Sequence, residues 1–285
     1  MQYRTLGRTG LRVSEVGFGG APLGIPNYNE VWDPYDPDTT RTAISAIQRA
    51  IDLGYTYFDT APSYGDGRSE EIMGQALHGR RAEVVLATKT EWQNKSRDWI
   101  RARVESSLRR LDTDYLDVLQ FHGNDYTPED LRFLIEDGPL EVCQQLKQAG
   151  TIRAIGITAE EPASLLPMLS AGLFDVIQIR YNLIYQGAWH TVLPLAHEHG
   201  LGVVLMRPLS SGIFQKLMRH VRPDIDQLVD LHALALNYVL SDSRISTAIV
   251  GMRRIAEVER NNALADASEQ RIDLDWLHER QVRHE

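Results

Sequence analysis

The sequence predicts an α/β chain folded as a TIM-type (β/α)8 barrel with an N-terminal β-hairpin. Eight short apolar segments each precede a stretch with helical spacing. The segments are apolar on both faces, as the strands of a buried parallel sheet are. The 285 residues show no charge block, low-complexity run or linker-like break, so a single domain over residues 1–285 is expected; a barrel of this type takes about 250 residues. A doubly wound open sheet is the rival, and against it no strand is followed by Gly-x-Gly-x-x-Gly.

Taken in order, Gly7-Arg8-Thr9-Gly10 reads as the hairpin turn, and Val16–Gly20 as a short strand with a glycine-rich exit. Residues 27–37 are polar, aromatic and proline-bearing, hence a loop. Asp38 or Thr39 is expected to cap a helix with Ala43, Ile44, Ile47 and Ile51 on one face, stopped by Gly54. Tyr55–Phe58 is the second strand. Ser69, with Glu70 and Glu71 behind it, reads as the N-cap of a helix ending near Gly79. Val84–Lys89 follows as a strand, then a helix capped by Ser96 with Ile100, Val104, Leu108 and Leu111 on its face. Asp117–His122 is a strand, and Pro128 and Pro139 punctuate the helical stretch to Gly150. The second half repeats the scheme: Ala154–Thr158, then a helix around Ala163–Ser170; Asp175–Arg180, then a helix to Gly200; Gly202–Arg207, then a polar loop and the helix Leu228–Leu240; Thr247–Gly251, then a helix from Ile255.

The balance of charge narrows the partners. A net charge of -9 argues against a nucleic acid, whose binders carry a basic face. Cys143 is the only cysteine, which excludes an intrachain disulfide and a cysteine-cluster metal site; its apolar neighbours mark it as core. The N-terminus lacks an apolar signal region, and no window approaches the roughly 20 apolar residues of a membrane span. A soluble cytoplasmic protein is expected, with oligomeric state left open.

Loops after the strands of a parallel barrel build the site at one face. The strand ends here carry Asp59, Lys89, His122, Thr158, Gln178, Arg180, Arg207 and Gly251. A carboxylate, an ammonium and an imidazole closing three apolar strands are hard to explain by packing, since buried charges cost several kcal/mol unless paired. Lysine is scarce beside arginine in this chain, and only the lysine can be tuned in pKa. Tyr64, on the loop after Asp59, completes the set. A nearby ammonium favours the phenolate, so Lys89, held by Asp59, is expected to lower the tyrosine pKa towards neutrality, with His122 free to bond a substrate oxygen. Such a set suits protonation of a carbonyl. No His/Asp/Glu group is spaced to cage a metal, and the carboxylate partner disfavours a Schiff-base role for Lys89.

A second constellation points to phosphate. Arg207-Pro208-Leu209-Ser210-Ser211-Gly212 follows the seventh strand and Gly251-Met252-Arg253-Arg254 the eighth, where barrels commonly bind phosphate through backbone amides and a helix N-terminus. Gly20, at the glycine-rich exit of the first strand, reads either as a turn glycine or as the place for a close approach of a ligand.

These residues resemble the aldo-keto reductases along the whole chain. Phe58-Asp59-Thr60-Ala61-x-x-Tyr64-Gly65, extended by Ser69-Glu70-Glu71-x-x-Gly74, is similar to the family signature, and the spacings of 5, 25 and 33 residues from Asp59 through Tyr64 and Lys89 to His122 fit its tetrad. The resemblance implies Tyr64 as proton donor, Lys89 and Asp59 as its tuning pair and His122 as the group that orients the carbonyl. It implies that the segments around Thr158 and Gln178 hold the nicotinamide carboxamide, that Arg207, Leu209, Ser211 and Gly212 lie along the cofactor, and that Gly251, Arg253, Glu257 and Asn261 grip its adenosine half. NADP(H) is favoured by family habit, NAD(H) is the alternative, and the substrate is a small carbonyl compound or sugar. Two departures stand out: Thr158-Ala159 where the family commonly has Ser-Asn, and Glu257 where many members place Arg or Gln. A carboxylate there would repel a 2′-phosphate and accept from a 2′-hydroxyl. Two other readings stay open. One is a partner-binding subunit like the β subunits of voltage-gated potassium channels; the other is a metal-dependent barrel hydrolase.

Overall fold

The structure, a computed structural model, describes residues 1–282. The chain opens on the expected hairpin: Tyr3–Thr5 (β1) pairs antiparallel with Arg12–Ser14 (β2) across the turn Gly7–Thr9. A closed parallel barrel follows, built of Val16–Gly19 (β3), Tyr57–Asp59 (β4), Val85–Thr90 (β5), Leu116–Phe121 (β6), Ile152–Ala159 (β7), Val176–Arg180 (β8), Gly202–Met206 (β9) and Thr247–Gly251 (β10). The strands stand in chain order and β10 closes on β3.

The period of two along each strand sorts side chains between two cores. Outward positions such as Leu86, Leu119 and Ile177 pack under the helices. Inward positions form a lower apolar layer of Tyr57, Val85, Ala87, Val118, Ala154, Val176, Val204 and Ile249. The next inward positions up the same strands include Asp59, Lys89, Gln120 and Gln178, with Thr158 one inward step above Gly156 on β7, and all of these polar side chains are buried. One pleat therefore separates apolar filling from chemistry.

The hairpin stoppers the lower end. Leu6, Leu11 and Val13 join the lower layer, and burying a leucine such as Leu6 is worth roughly 1.5–3 kcal/mol. Gly7, at φ 49°, lies so close to β9 that a Cβ would fall 2.2 Å from the Gly202 nitrogen, which leaves no room for a side chain. The Arg4 guanidinium donates to the carbonyls of Leu240, Asp242 and Ile245 at 2.6–2.7 Å, tying the hairpin to the C-terminal part of the barrel.

Several helix boundaries differ from the sequence reading. The helix Pro37–Asp52 is capped by Asp36, whose carboxylate accepts from the Asp38 and Thr39 amides, not by Asp38 or Thr39. Pro37 explains the earlier start, because a first-turn proline loses no hydrogen bond. Ser69 is not a cap: the helix Arg68–Leu77 starts after Gly67 at φ 91°. The buried Ser69 hydroxyl instead donates to the Gly20 carbonyl and meets Thr60 Oγ1, each at 2.8 Å. The helix expected from Leu228 begins at Leu231 on an Asp230 cap. The stretch around Ala163–Ser170 is a 3-10 turn, Pro162–Leu165, running into one helical turn, Leu166–Leu169. Ser96 caps Arg97–Arg110 as expected, accepting from the Trp99 amide. Among the described residues no helix is long and apolar enough to cross a membrane.

Candidate active site

The upper mouth of the barrel opens into a cavity of about 1090 Å³. Its floor is built from neighbouring strand ends. Asp59 closes β4 opposite Ala87 of β5, so Lys89 stands one pleat higher and reaches across. Its Nζ lies 2.8 and 2.7 Å from the two Asp59 oxygens and 2.8 Å from the Thr60 carbonyl. Three acceptors meet the three ammonium protons. Both residues are 1% exposed, the setting in which an ion pair holds only with its hydrogen bonds complete.

Tyr64 projects from the loop after β4, with Lys89 Nζ 4.9 Å from its ring centre. The loop is fixed by Gly65: at φ 68°, a Cβ there would sit 1.9 Å from the Gly24 carbonyl oxygen. The His122 ring stands edge-on to Tyr64 at 6.0 Å. Its backbone amide donates to the Thr90 carbonyl at 2.9 Å, Trp92 Nε1 donates to its carbonyl at 3.2 Å, and the Ser63 hydroxyl approaches Nδ1 at 3.4 Å.

Burial dominates the electrostatics. It works against the Lys89 ammonium, but Asp59 and then Tyr64 outweigh it and raise the lysine pKa. Burial raises the Asp59 carboxyl despite Lys89 and Gln120. The Tyr64 phenol is also raised by burial, with Lys89 opposing. This corrects the expected tuning towards neutrality: the ammonium pulls in the anticipated direction, and desolvation of the buried phenol is the larger effect. His122 is lowered to about 4 by burial and by the Lys89 charge, so its imidazole is neutral at neutral pH.

Asp59, Tyr64, His122, Thr158 and Gln178 line the cavity together, and Lys89 lies directly behind them. The Thr158 hydroxyl donates to the Gly123 carbonyl and accepts from its amide, both at 3.0 Å. Gln178 Oε1 accepts from Gln120 Nε2 at 3.0 Å. Further along the wall come Arg207, Leu209, Ser211 and Gly212, then Gly251, Arg253 and Glu257. Two expected residues stand back. Gly20 donates its amide to the Asp59 carbonyl at 2.7 Å beneath the floor, and a Cβ on it would meet that oxygen and Ser69 Oγ at 2.8 Å. Asn261 Oδ1 pairs with His232 Nε2 at 2.7 Å.

The Arg207–Gly212 turn is held in an uncommon shape. Arg207, Ser210 and Ser211 all have φ between 51° and 55°, a left-handed region that costs non-glycine residues of order 1–3 kcal/mol and recurs at functional sites. Asn182, fully buried, braces it: Nδ2 donates to the Arg207 carbonyl at 2.9 Å and Oδ1 accepts from Ser210 at 3.0 Å.

At the far end, Glu257 lines the cavity and also has a structural task. Its Oε2 accepts from the Arg253 and Arg254 amides at 2.7 and 3.0 Å, capping the helix Ile255–Asp266. Both arginine side chains close on Glu30 from the loop after β3, Arg253 Nε at 3.0 Å, while Arg253 Nη2 donates to the Tyr28 carbonyl at 2.9 Å. Arg253 lines the wall, its guanidinium over the Trp32 ring, and its Nη1 is buried without a partner. Together with Arg207 and Ser211, it makes the wall suited to a phosphate-bearing ligand, and the size of the cavity suits an extended one. Among the described residues, no cluster of His, Cys, Asp or Glu could hold a metal.

Sequence reasoning missed Gln120 and Asn182. Gln120 left a trace, as a polar side chain in mid-strand between apolar neighbours; Asn182 lies just past a strand end with no local signal. Glu30 falls in a stretch read only as a loop.

Known proteins resemble the chain in sequence and in fold. L-galactose dehydrogenase of Arabidopsis thaliana is 31% identical over 291 residues, covering 92% of this chain and 88% of that protein. The holo form of aldo-keto reductase AKR11C1 from Bacillus halodurans superposes with a TM-score of 0.79 at 29% identity, over 96% of this chain and 93% of the other. An aldo-keto reductase from Klebsiella pneumoniae in complex with NADPH gives 0.74 at 25% identity, over 98% and 94%. The family model described as "Aldo/keto reductase family" matches residues 15–273. With a closed eight-strand barrel preceded by a hairpin, and that match over most of its length, the chain belongs to the aldo/keto reductase family, whose members use NAD(P)H.

Proposed function

We propose that the protein transfers a hydride between a nicotinamide cofactor, NADP(H) ahead of NAD(H), and the carbonyl carbon of a small polar aldehyde, ketone or aldose. The observation that carries the reading is the sealed Asp59–Lys89 pair beneath Tyr64, beside a neutral His122. The nicotinamide supplies or accepts the hydride; the chain supplies binding, orientation and the proton.

In the reducing direction Tyr64 is the proton donor. Burial keeps its phenol protonated, the form a donor needs, and Lys89 stabilises the phenolate left behind. Asp59 holds the ammonium in place and is not itself a proton carrier. His122 bonds the substrate oxygen through its neutral ring, with the Ser63 hydroxyl 3.4 Å from Nδ1. Gln178 and Thr158 flank the place of the carboxamide, while Arg207, Ser211 and Arg253 serve the phosphates. The preference for NADP(H) draws support from the NADPH-bound relative and from Arg207 and Arg253 on the cavity wall. A polar substrate suits Asn29 and Asn124 on the cavity wall.

The test is nucleotide consumption. Purified protein with NADPH or NADH and a panel of aldehydes, ketones and aldoses is expected to oxidise nucleotide with some of them. No consumption with any member, and no reduction of NADP⁺ or NAD⁺ with the matching alcohols, would overturn the reading.

A further inference from the structure

None of the roles above uses Gln120, although it sits among the residues that carry them. In the barrel register it lies between Lys89 of β5 and Gly156 of β7. It is fully buried. Its Nε2 donates to Gln178 Oε1 at 3.0 Å and to Asp59 Oδ1 at 3.3 Å. Its own Oε1 is buried with no partner. Gly156 makes the space, since a Cβ there would fall 2.8 Å from Gln120 Cγ.

This amide has one workable orientation. Turned over, Oε1 would face two acceptor oxygens and Nε2 would lose both bonds. As it stands, two acceptors are served and one is abandoned. An orphaned buried oxygen is destabilising, and an aliphatic side chain of the same size would avoid it. The arrangement gains a connection: Gln178, Gln120, Asp59 and Lys89 form an unbroken run of hydrogen bonds from the cavity wall to the ammonium beneath Tyr64.

We propose that Gln120 is a positioning residue that couples the cofactor-facing amide of Gln178 to the proton-transfer pair Asp59–Lys89. By holding Gln178 through its carbonyl oxygen, it turns the Gln178 amino group towards the cavity. By donating to Asp59, it favours the ionised carboxylate that Lys89 needs. The inference rests on the redox reading above, and two readouts separate them: nucleotide affinity without turnover, and the pH dependence of turnover.

Gln120→Met fills the space without the donor. Its NADPH dissociation constant, from fluorescence titration, is expected to rise about three- to tenfold, as for loss of one hydrogen bond. With Asp59 easier to protonate, the acid limb of kcat moves to higher pH, while KM for the carbonyl compound holds. Gln120→Glu restores a donor of the same shape only when protonated, so its activity relative to wild type should rise as pH falls, opposite to Gln120→Met. Melting curves confirm that each variant is folded. Wild-type NADPH affinity together with a wild-type pH profile in Gln120→Met would overturn the coupling and leave the redox reading standing. Where wild type itself turns nothing over, the redox reading falls, and equal NADPH affinity of wild type and Gln120→Met overturns the coupling as well. If Gln120→Met does not fold, absence of acid-favoured recovery in Gln120→Glu overturns it.

Discussion

The Lys89 ammonium faces both oxygens of Asp59 at 2.7 and 2.8 Å, with the two side chains sealed inside the barrel. Removing one partner strands the other. Lys89→Met is expected to lose about 3–5 kcal/mol of stability in denaturant melts at neutral pH. Asp59, already raised by burial, then rises further above its unfolded value. A carboxyl raised in this way binds its proton more readily folded than unfolded, so the deficit of the variant should narrow as pH falls. Pairing Lys89→Met with Asp59→Asn should recover most of the stability and none of the turnover.

Tyr64→Phe separates binding from chemistry. The phenylalanine keeps the ring against Lys89 and His122 and deletes only the hydroxyl. Turnover is expected to fall by about 10²–10⁴, the usual worth of a positioned general acid, with nucleotide affinity unchanged in a titration.

His122 should behave as a neutral group over the whole working range. Burial and the Lys89 charge bring its pKa to about 4, so its ring resonances in NMR should titrate near that value and stay flat from pH 6 upward. A ring titrating at its ordinary value would instead move through that region. In Lys89→Met, where the like charge is gone, the midpoint should shift upward.

Glu30 occupies the two arginines at the far end of the cavity. If Arg253 and Arg254 serve a 2′-phosphate, Glu30→Gln frees them for it. NADPH affinity should then tighten roughly two- to fivefold, the scale of exposed ion pairs. NADH affinity should not follow. Parallel titrations with the two nucleotides measure this, and added salt should shrink the difference.

The barrel and the meeting of Asp59, Tyr64, Lys89 and His122 were legible because both are written in register. Strands buried on two faces are short apolar runs, and a parallel barrel gathers their ends at one mouth. Helix starts were harder. Asp36, Asp38 and Thr39 are all competent caps, and only the placement of Pro37 selects the first. Ser69 looks like a cap until Gly67 takes up the entry turn and the serine is drawn inside. The direction of the Tyr64 shift was missed because it depends on depth of burial against distance to Lys89, and a one-dimensional pattern fixes neither. Glu257 was read by charge alone, and nothing in the pattern shows that one of its two oxygens also caps the following helix.

The closure of the barrel also bears on how the chain is made. Val16 of β3 finds its partner in Ala248 of β10, and the Arg4 side chain waits for carbonyls between Leu240 and Ile245. During synthesis, which proceeds at about 5–20 residues per second, the first strand therefore leaves the ribosome with one edge bare. It keeps that edge until nearly the whole chain has emerged. Such late, long-range pairing slows folding and exposes a strand edge to other chains, so a nascent chain halted before Thr247 is the species most prone to aggregate.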